Sequence, residues 1–329
     1  MTMARPSVTS RKFRSSPCAA GPICLSETGI PDPAGLKAHL LSPVILVPAV
    51  LNGLMAGAVY ALVALGLTLI YGVLHIINFA HGALLTAAMF AAFFAFSLGG
   101  VDPYLAAFLL APLFFAIGYA LQRFIIGPAA HGEDRNFLLV TLGLAIVIEN
   151  ALLYFFRADT RTINLPYAFD VVQIGPAFIA VPRVIAFGAI IAVAAALWTV
   201  MRWTDTGKAI RAVAKEKLGA ELCGINVAHI YAVTFGLGTA CVAVAACLLI
   251  PTYYVNPTAG EAFVLIAFTI VVLGGMGSIA GALIGGLCVG VVESFSSIFF
   301  GQSLGQIGIF IMFIVVLLAR PSGLFGARP

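Results

Sequence analysis

The chain has 329 residues, of which 62% are hydrophobic and 9% are charged, with a formal net charge of +4. Soluble globular domains carry about 25% charged residues, so this composition excludes them and predicts a polytopic membrane protein of the all-α class. Lys and Arg beside membrane spans are topology signals, so the positive charge does not indicate nucleic-acid binding. The six cysteines form no C-x-x-C pair, which predicts neither a disulfide framework nor a metal site.

Residues 1–43 differ in character from the rest of the chain. They are rich in Ser and Pro, carry Arg5, Arg11, Lys12 and Arg14, and contain no apolar run before Val44. A secretory signal peptide would place an apolar segment directly after its basic residues, and this chain does not. We predict a disordered N-terminal tail at residues 1–43, followed by a membrane domain at residues 44–326.

The membrane domain contains apolar runs close to the roughly 20 residues that cross a bilayer core of about 30 Å. They predict eight spans, or nine if one interrupted run crosses twice. The runs are Val44–Tyr71, Phe79–Leu98, Tyr104–Ile126, Phe137–Phe156, Ala177–Met201, Val227–Thr252, the interrupted Ala262–Phe300, and Gly305–Ala319.

A short polar segment, His75–Gly82, extends from the end of the first run into the start of the second and contains Asn78, His81 and Gly82. Polar groups are costly in hydrocarbon, so these residues are predicted to line a translocation path or to pack near the cytoplasmic end of the first two spans. We expect Asn78 and His81 to have hydrogen-bond partners within the protein, because an unsatisfied polar group costs several kcal/mol there. A purely structural role for His81 remains open.

The polar loop, Arg202–Asn226, lies between two spans and concentrates charged residues. Its basic residues place it in the cytoplasm. Residues Thr206–Leu222 predict one short helix in which Ala209, Ile210, Val213 and Leu218 form an apolar stripe. Two interpretations remain, namely a helix lying on lipid headgroups and a docking surface for a soluble partner. Gly224 is predicted to end the helix with a positive φ.

Glycines interrupt the run Ala262–Phe300 at Gly274, Gly275 and Gly277, followed by Ser278. This pattern predicts a helix break beside the central cavity, although close helix packing by small residues is the alternative. Gly277, Gly281 and Gly285 recur at four-residue spacing, as do the pairs Gly53/Gly57 and Gly286/Gly290. If the chain turns back at the break, Arg320 lies on the cytoplasmic side, as the positive-inside rule requires.

Several sequence motifs occur in the same order as in a known protein family. They are Asn78-Phe79-Ala80-His81-Gly82, Thr206-Gly207-Lys208-Ala209-Ile210-Arg211-Ala212, Gly224-Ile225-Asn226, Val255-Asn256-Pro257, Gly274-Gly275-Met276-Gly277-Ser278 and Gly323-Leu324-Phe325-Gly326. Together they resemble the branched-chain amino acid ABC-transporter permeases of the LivH type, over residues 44–326.

The resemblance implies the permease subunit of an ABC importer in a bacterial inner membrane, working by alternating access. It implies as partners a second homologous permease, two cytoplasmic ATPase subunits and a periplasmic substrate-binding protein. The chain has no G-x-x-x-x-G-K-[ST] motif, so ATP is used by the partners, and neither a cofactor nor an enzyme activity is expected. Residues expected to couple to the ATPase are Gly207, Arg211, Ala214, Glu216, Ala220 and Gly224, and those expected at the path or the helix break are Asn78, His81, Gly82, Gly274, Gly275, Gly277, Ser278 and Gly281.

Three positions depart from the family pattern, and two other functions stay open. Ile266 stands where the family usually has Lys, Ala280 where it commonly has Pro, and Lys215-Glu216 where an acidic pair is common. A permease for a sugar, urea or another small solute is one alternative. A gradient-driven secondary transporter is the other, for which Glu149 and Glu293 are the intramembrane candidates.

Overall fold

A computed structural model describes residues 43–130, 134–174, 177–301, 304–320 and 323–324. The chain divides into two units, residues 1–46 and residues 47–329. Of the first unit only residues 43–46 are described, as the start of a helix. Most of the predicted tail, residues 1–42, therefore lies outside the described part of the chain.

Helices make up most of the described chain. They are α1 (Pro43–Leu74), α2 (Ala80–Gly99), α3 (Pro103–Ala120), α4 (Gly127–Ala130), α5 (Asp134–Phe156), α6 (Val181–Trp203), α7 (Asp205–Lys215), α8 (Lys217–Leu222), α9 (Val227–Leu249), α10 (Ala259–Gly274), α11 (Ile279–Phe300) and α12 (Gly305–Ala319). A π-helical segment, Leu121–Ile126, joins α3 to α4. In the described residues, seven helices are long and apolar enough to cross a membrane, and α10 and α12 are shorter apolar helices.

The described chain is mostly helical, as predicted, and a small hairpin corrects only the predicted start of one span. Strand β1 (Val171–Ile174) pairs antiparallel with β2 (Ala177–Ala180), with Val171 opposite Ala180. The predicted span Ala177–Met201 therefore begins as a strand, and its helix starts only at Val181, where Pro182 occupies the first turn. A short apolar run fits a strand or a helix equally well, which is why the pattern missed the hairpin.

Burial separates central helices from peripheral ones. Helix α1 is buried over 89% of its apolar stretch and α9 over 78%, whereas α5 is buried over only 11%. A helix that is apolar on all sides and covered by protein lies inside a bundle, and one with exposed apolar side chains faces lipid. We infer that α1 and α9 form the centre of the bundle and that α5 lies at its periphery.

The two glycine pairs seen in the sequence pack against each other. A Cβ added to Gly57 would lie 2.5 Å from the carbonyl oxygen of Gly286, and one added to Gly53 would lie 2.8 Å from that of Gly290. Real side chains do not tolerate such distances, so α1 and α11 approach backbone to backbone. The close packing predicted for these glycines is confirmed.

A tight turn interrupts the run Ala262–Phe300, as predicted. Gly274 is the last residue of α10, and Gly275 and Gly277 adopt φ values of 95° and 88° that only glycine takes up readily. Ser278 then caps α11 by accepting a hydrogen bond from the Gly281 backbone N–H at 3.1 Å. Helices α10 and α11 thus fold back on each other as a helical hairpin.

The turn, the end of α1 and residues 323–324 lie together at one end of the bundle. A Cβ on Gly72 would lie 2.9 Å from the Gly277 Cα, and the Leu324 N–H donates to the Leu273 carbonyl at 2.8 Å. Gly66 of α1 contacts Gly238 of α9, and Val59 of α1 lines a small cavity together with Leu248 of α9. Residue numbers therefore rise along α1 in the direction in which they fall along α9, so the two helices are antiparallel. The polar loop, which precedes α9, is therefore at the same end as Arg320.

The opposite end is held together by contacts between loops. Arg161 and Val255 form a β-bridge, and the Arg161 guanidinium lies 5.5 Å from the centre of the Phe93 ring. The Tyr167 hydroxyl donates to an Asp102 carboxylate oxygen at 2.6 Å. Burial, followed by this hydrogen bond, raises the pKa of Tyr167, so the hydroxyl stays protonated as a donor.

Candidate functional site

The polar segment between α1 and α2 returns toward the middle of α1. His75, with φ of 55°, turns the chain after Leu74, and the His81 Nε2 then lies 3.0 Å from the Val63 carbonyl. Because Val63 offers an acceptor, Nε2 is the donor. Val63 precedes the end of α1 by about 16 Å at 1.5 Å per residue, so His81 lies deeper than the span end at which we predicted it.

Asn78 and His81 are fully buried and have hydrogen-bond partners, as predicted. The Asn78 Oδ1 accepts from the Ala80 N–H at 3.1 Å, which orients the first turn of α2. Asn78 Nδ2 and His81 Nδ1 have no partner among the described residues. The hydrogen bond from His81 to Val63 connects α1 to the start of α2, and the one at Asn78 is local.

Gly82 completes this junction by allowing α10 to approach. A Cβ on Gly82 would lie 2.6 Å from the Gly260 carbonyl oxygen, and the Thr86 hydroxyl accepts from the Gly260 N–H at 2.9 Å. The same hydroxyl donates to the Gly82 carbonyl at 3.2 Å. These contacts give Gly82 a packing role, while a place for Asn78, His81 and Gly82 along a translocation path stays a prediction.

A cavity of about 340 Å³ lies among α1, α10, α11, α12 and the loop before α10. Its size falls within the range of about 300–1,000 Å³ that is common for small-molecule sites. The lining combines polar groups with one apolar wall. The polar residues are Tyr60, Tyr253, Tyr254, Asn256, Thr258, Glu293 and Gln306, and the apolar residues are Ala259, Ala262, Phe263 and Ile266.

A chain of hydrogen bonds links three of the residues that line this cavity. The Tyr60 hydroxyl donates to Glu293 Oε1 at 3.3 Å, and its oxygen lies 3.4 Å from the Tyr253 hydroxyl. Tyr60 has a single hydroxyl proton, so Tyr253 is the donor to Tyr60. Phe263 packs beside both tyrosine rings, with centroid distances of 6.0 Å to Tyr60 and 5.4 Å to Tyr253.

Sequence reasoning identified little of this cavity. It named Glu293 as an intramembrane acid and Ile266 as a departure from the family pattern, and both line the cavity. It did not predict roles for Tyr60, Tyr253 or Asn256, because these come from distant segments that share no spacing. The only available signal was that Asn256 lies within a motif that carries the resemblance.

The glycine turn lies apart from this cavity, and its predicted place beside a central cavity stays a prediction. Gly274, Gly275, Gly277, Ser278 and Gly281 are absent from its lining. Gly274 follows Ile266, the deepest lining residue of α10, by about 12 Å of helix. Gly277 packs on Gly72, and Gly281 packs on Gly274. The arrangement favours close packing as the role of these glycines.

The first helix of the polar loop, α7, lies on the protein's own bundle. Thr204 caps it by accepting from the Gly207 N–H at 3.0 Å. A Cβ on Gly207 would lie 2.5 Å from the Met201 carbonyl oxygen, so α7 packs closely on the end of α6. The Arg211 guanidinium donates a hydrogen bond to the same carbonyl oxygen. Ile210 and Val213 are buried. The apolar face of α7 is thus covered by protein, which argues against a helix floating on lipid headgroups.

The predicted single helix Thr206–Leu222 is wrong, because Glu216 divides it. Glu216 takes an extended conformation with φ of −156°, and its side chain accepts from the Leu218 N–H to begin α8. The bend moves Leu218 off the predicted apolar stripe and leaves it 64% exposed, with Leu222 82% exposed one turn further on.

The remaining residues expected to couple to the ATPase take different positions. Ala220 is buried, Ala214 is half-buried, and Glu216 is exposed. Gly224 ends α8 with φ of 80°, which confirms its predicted conformation.

Comparison with known proteins gives consistent matches over most of the chain. The family model described as the branched-chain amino acid transport system permease component matches residues 49–317. The chain is 35% identical over 293 residues to the permease protein BraD of Pseudomonas aeruginosa, covering 84% of this chain and 94% of that protein. It is 33% identical over 300 residues to LivH of Salmonella typhimurium, with the same coverage.

A third relative is named for a different solute. The fructose import permease protein FrcC of Rhizobium meliloti is 31% identical over 183 residues, covering 52% of this chain and 51% of that protein. No solved structure matches the chain. The family match over residues 49–317 and the helices long enough to span a membrane agree, and the chain belongs to the family of branched-chain amino acid transport system permease components.

Proposed function

We propose that this chain is the transmembrane permease subunit of an ABC importer that carries branched-chain amino acids across a bacterial inner membrane. BraD and LivH are both named as permease proteins of high-affinity branched-chain amino acid transport systems, and these names supply the substrate class. The importer assignment rests on the structure of the polar loop. Its helix α7 is fixed to the bundle, whereas its helix α8 exposes apolar side chains.

Leu218 and Leu222 are spaced by four residues, so they lie on the same face of α8. Two large apolar side chains exposed on a charged loop are costly in water and are typical of a protein interface. We infer that this face contacts a cytoplasmic ATPase subunit.

Movement at this face would pass directly into the membrane domain. Gly207 and Arg211 hold α7 against the end of α6, and the polar loop leads into α9 at Val227. Helix α9 packs on the central helix α1 through Gly238 and Gly66. A push on α8 therefore reaches the centre of the bundle through close-packed backbone.

The assembly that we propose contains two ATPase subunits, a second homologous permease and a periplasmic substrate-binding protein. The chain itself takes no cofactor, and ATP acts through the partners. Driving a two-state equilibrium from 1:99 to 99:1 requires about 5.5 kcal/mol of differential binding, which ATP binding to the ATPase pair would supply. Helices α10 and α12 would also cross the membrane, as the seventh and ninth of nine spans, with Arg320 in the cytoplasm.

The double variant Leu218→Ser/Leu222→Ser tests the proposed coupling surface. We expect it to insert and purify as a monodisperse protein but to lose copurifying ATPase subunits and amino acid uptake. Phe178→Ser is the matched control, since Phe178 is 63% exposed on the hairpin before α6, at the opposite end of the bundle. Normal ATPase copurification with the double variant would exclude α8 as the docking surface.

A sugar is the second candidate substrate, because FrcC matches about half of the chain. Uptake of leucine and of fructose by the reconstituted importer separates the two. We expect leucine uptake that depends on ATP and no fructose uptake.

A further inference from the structure

We propose that the cavity lined by Tyr60, Asn256 and Glu293 binds the amino acid in transit, with the Glu293 carboxylate accepting hydrogen bonds from its ammonium group. This inference rests on the proposed function and assigns the residues that would contact the substrate inside the permease. The alternative is that Glu293 only braces α11 against α1 through Tyr60.

Charge favours an ammonium group as the ligand of Glu293. Glu293 is the acidic residue in the lining, and no Lys, Arg or His lines the cavity. No ion pair to Glu293 is found in the described part of the chain. Tyr60 donates to Oε1, so the hydroxyl orients the carboxylate while leaving acceptor capacity toward the cavity. A carboxylate with no cation beside it attracts a cationic group.

Asn256 provides an independent observation that points to a donor ligand. Its Oδ1 is buried and has no hydrogen-bond partner among the described residues. Leaving such an acceptor unpaired costs about 1–3 kcal/mol. An ammonium group has three N–H donors, so one group can serve both the Glu293 carboxylate and the Asn256 carbonyl oxygen. Both residues line the same cavity.

The remaining lining suits the other parts of an aliphatic amino acid. Ala262, Phe263 and Ile266 form an apolar wall from α10 on which a branched side chain can be buried. Thr258 and Gln306 bring a hydroxyl and an amide to the cavity, which can donate to a carboxylate without adding a fixed positive charge. Such neutral donors favour weak binding, which a transport intermediate needs for release.

Cysteine protection in the assembled importer, without ATP and without the binding protein, tests the assignment. Ala262→Cys, in a background whose other cysteines are replaced, places a reporter on the exposed part of the cavity wall. We expect leucine to slow its alkylation, and 4-methylpentanoate, which has the same carbon skeleton and carboxylate but no ammonium group, not to do so. Adding Glu293→Gln should raise the protecting concentration, which is the leucine concentration needed to slow alkylation of the cysteine, at least tenfold.

Two further variants separate substrate binding from bracing. Glu293→Asp keeps the charge and should restore protection at least partly, whereas Tyr60→Phe removes the orienting hydroxyl and should weaken it less than Glu293→Gln. Glu261→Gln is the control, since Glu261 lies on the first turn of α10 but does not line the cavity. It should leave the protecting concentration unchanged.

The outcomes also distinguish this inference from the function on which it rests. Absence of protection by leucine, equal protection by 4-methylpentanoate, or the same protecting concentration with Glu293→Gln would each overturn the site. Leucine uptake by the unaltered importer is measured separately, with ATP and the binding protein. Uptake combined with any of those results rejects the site alone, and absence of leucine uptake rejects the proposed function.

Discussion

Substitution of Gly57 by Ala tests the backbone contact between α1 and α11. The added Cβ would lie 2.5 Å from the Gly286 carbonyl oxygen and 3.1 Å from the Cα atoms of Gly290 and Leu287. Favourable contacts between carbon atoms are about 3.5–4.0 Å, so the helices would have to separate by roughly 0.5–1 Å. All three neighbouring atoms belong to the backbone, which cannot move aside as a side chain can.

The expected loss of stability is about 1–3 kcal/mol, the usual cost of inserting a methyl-sized group into a packed core. Alanine gains about 0.8–1.0 kcal/mol over glycine in a helix interior, which leaves a net loss of up to about 2 kcal/mol. Gly188→Ala is the matched control, because Gly188 lies within α6 and an added Cβ meets nothing within 4 Å. The two identical substitutions should therefore act in opposite directions.

Thermal unfolding of both variants in the same detergent measures this difference. We expect Gly57→Ala to unfold at a lower temperature than the unaltered protein and to unfold faster at a fixed temperature. Gly188→Ala should match or exceed the unaltered protein. If both variants unfold at the same temperature, the close approach of α1 and α11 does not contribute to stability as argued.

Two further predictions concern the polar loop and the topology. Gly224→Val should reduce ATPase copurification, because a β-branched residue is strained at φ of 80°, whereas Gly224→Asn should be tolerated far better. Equal copurification with both variants would contradict this prediction. A cysteine placed at Leu324 should be labelled from the same side of the membrane as one at Lys208, because Leu324 packs on the turn after α10 at the end of the bundle that carries the polar loop; labelling from opposite sides would exclude this topology.

Local chemistry made much of the architecture predictable. Each long apolar run from Val44 onward contains a helix, and the interrupted run contains two, because a helix satisfies its backbone hydrogen bonds in hydrocarbon. The glycine turn after Gly274 and the positive φ of Gly224 were also predictable, since few other residues tolerate those conformations. The ordered motifs then identified the family before any contact was known.

Contacts between distant segments decided the rest. Glu216 divides the polar-loop helix, and the resulting bend exposes Leu218, which a single helical period had placed on the buried face. His81 lies beside Val63 because the chain after Leu74 runs back along α1, a path that hydropathy does not encode.

The cavity shows this division most clearly. Tyr60, Asn256 and Glu293 lie on three separate segments: Tyr60 and Glu293 are single polar residues in apolar runs, and Asn256 lies in a loop. Composition and periodicity determine which segments become helices, because those are properties of one segment and its solvent. Which polar groups meet depends on how the helices pack, and that is set by backbone contacts such as Gly57 on Gly286, which exist only in the folded protein.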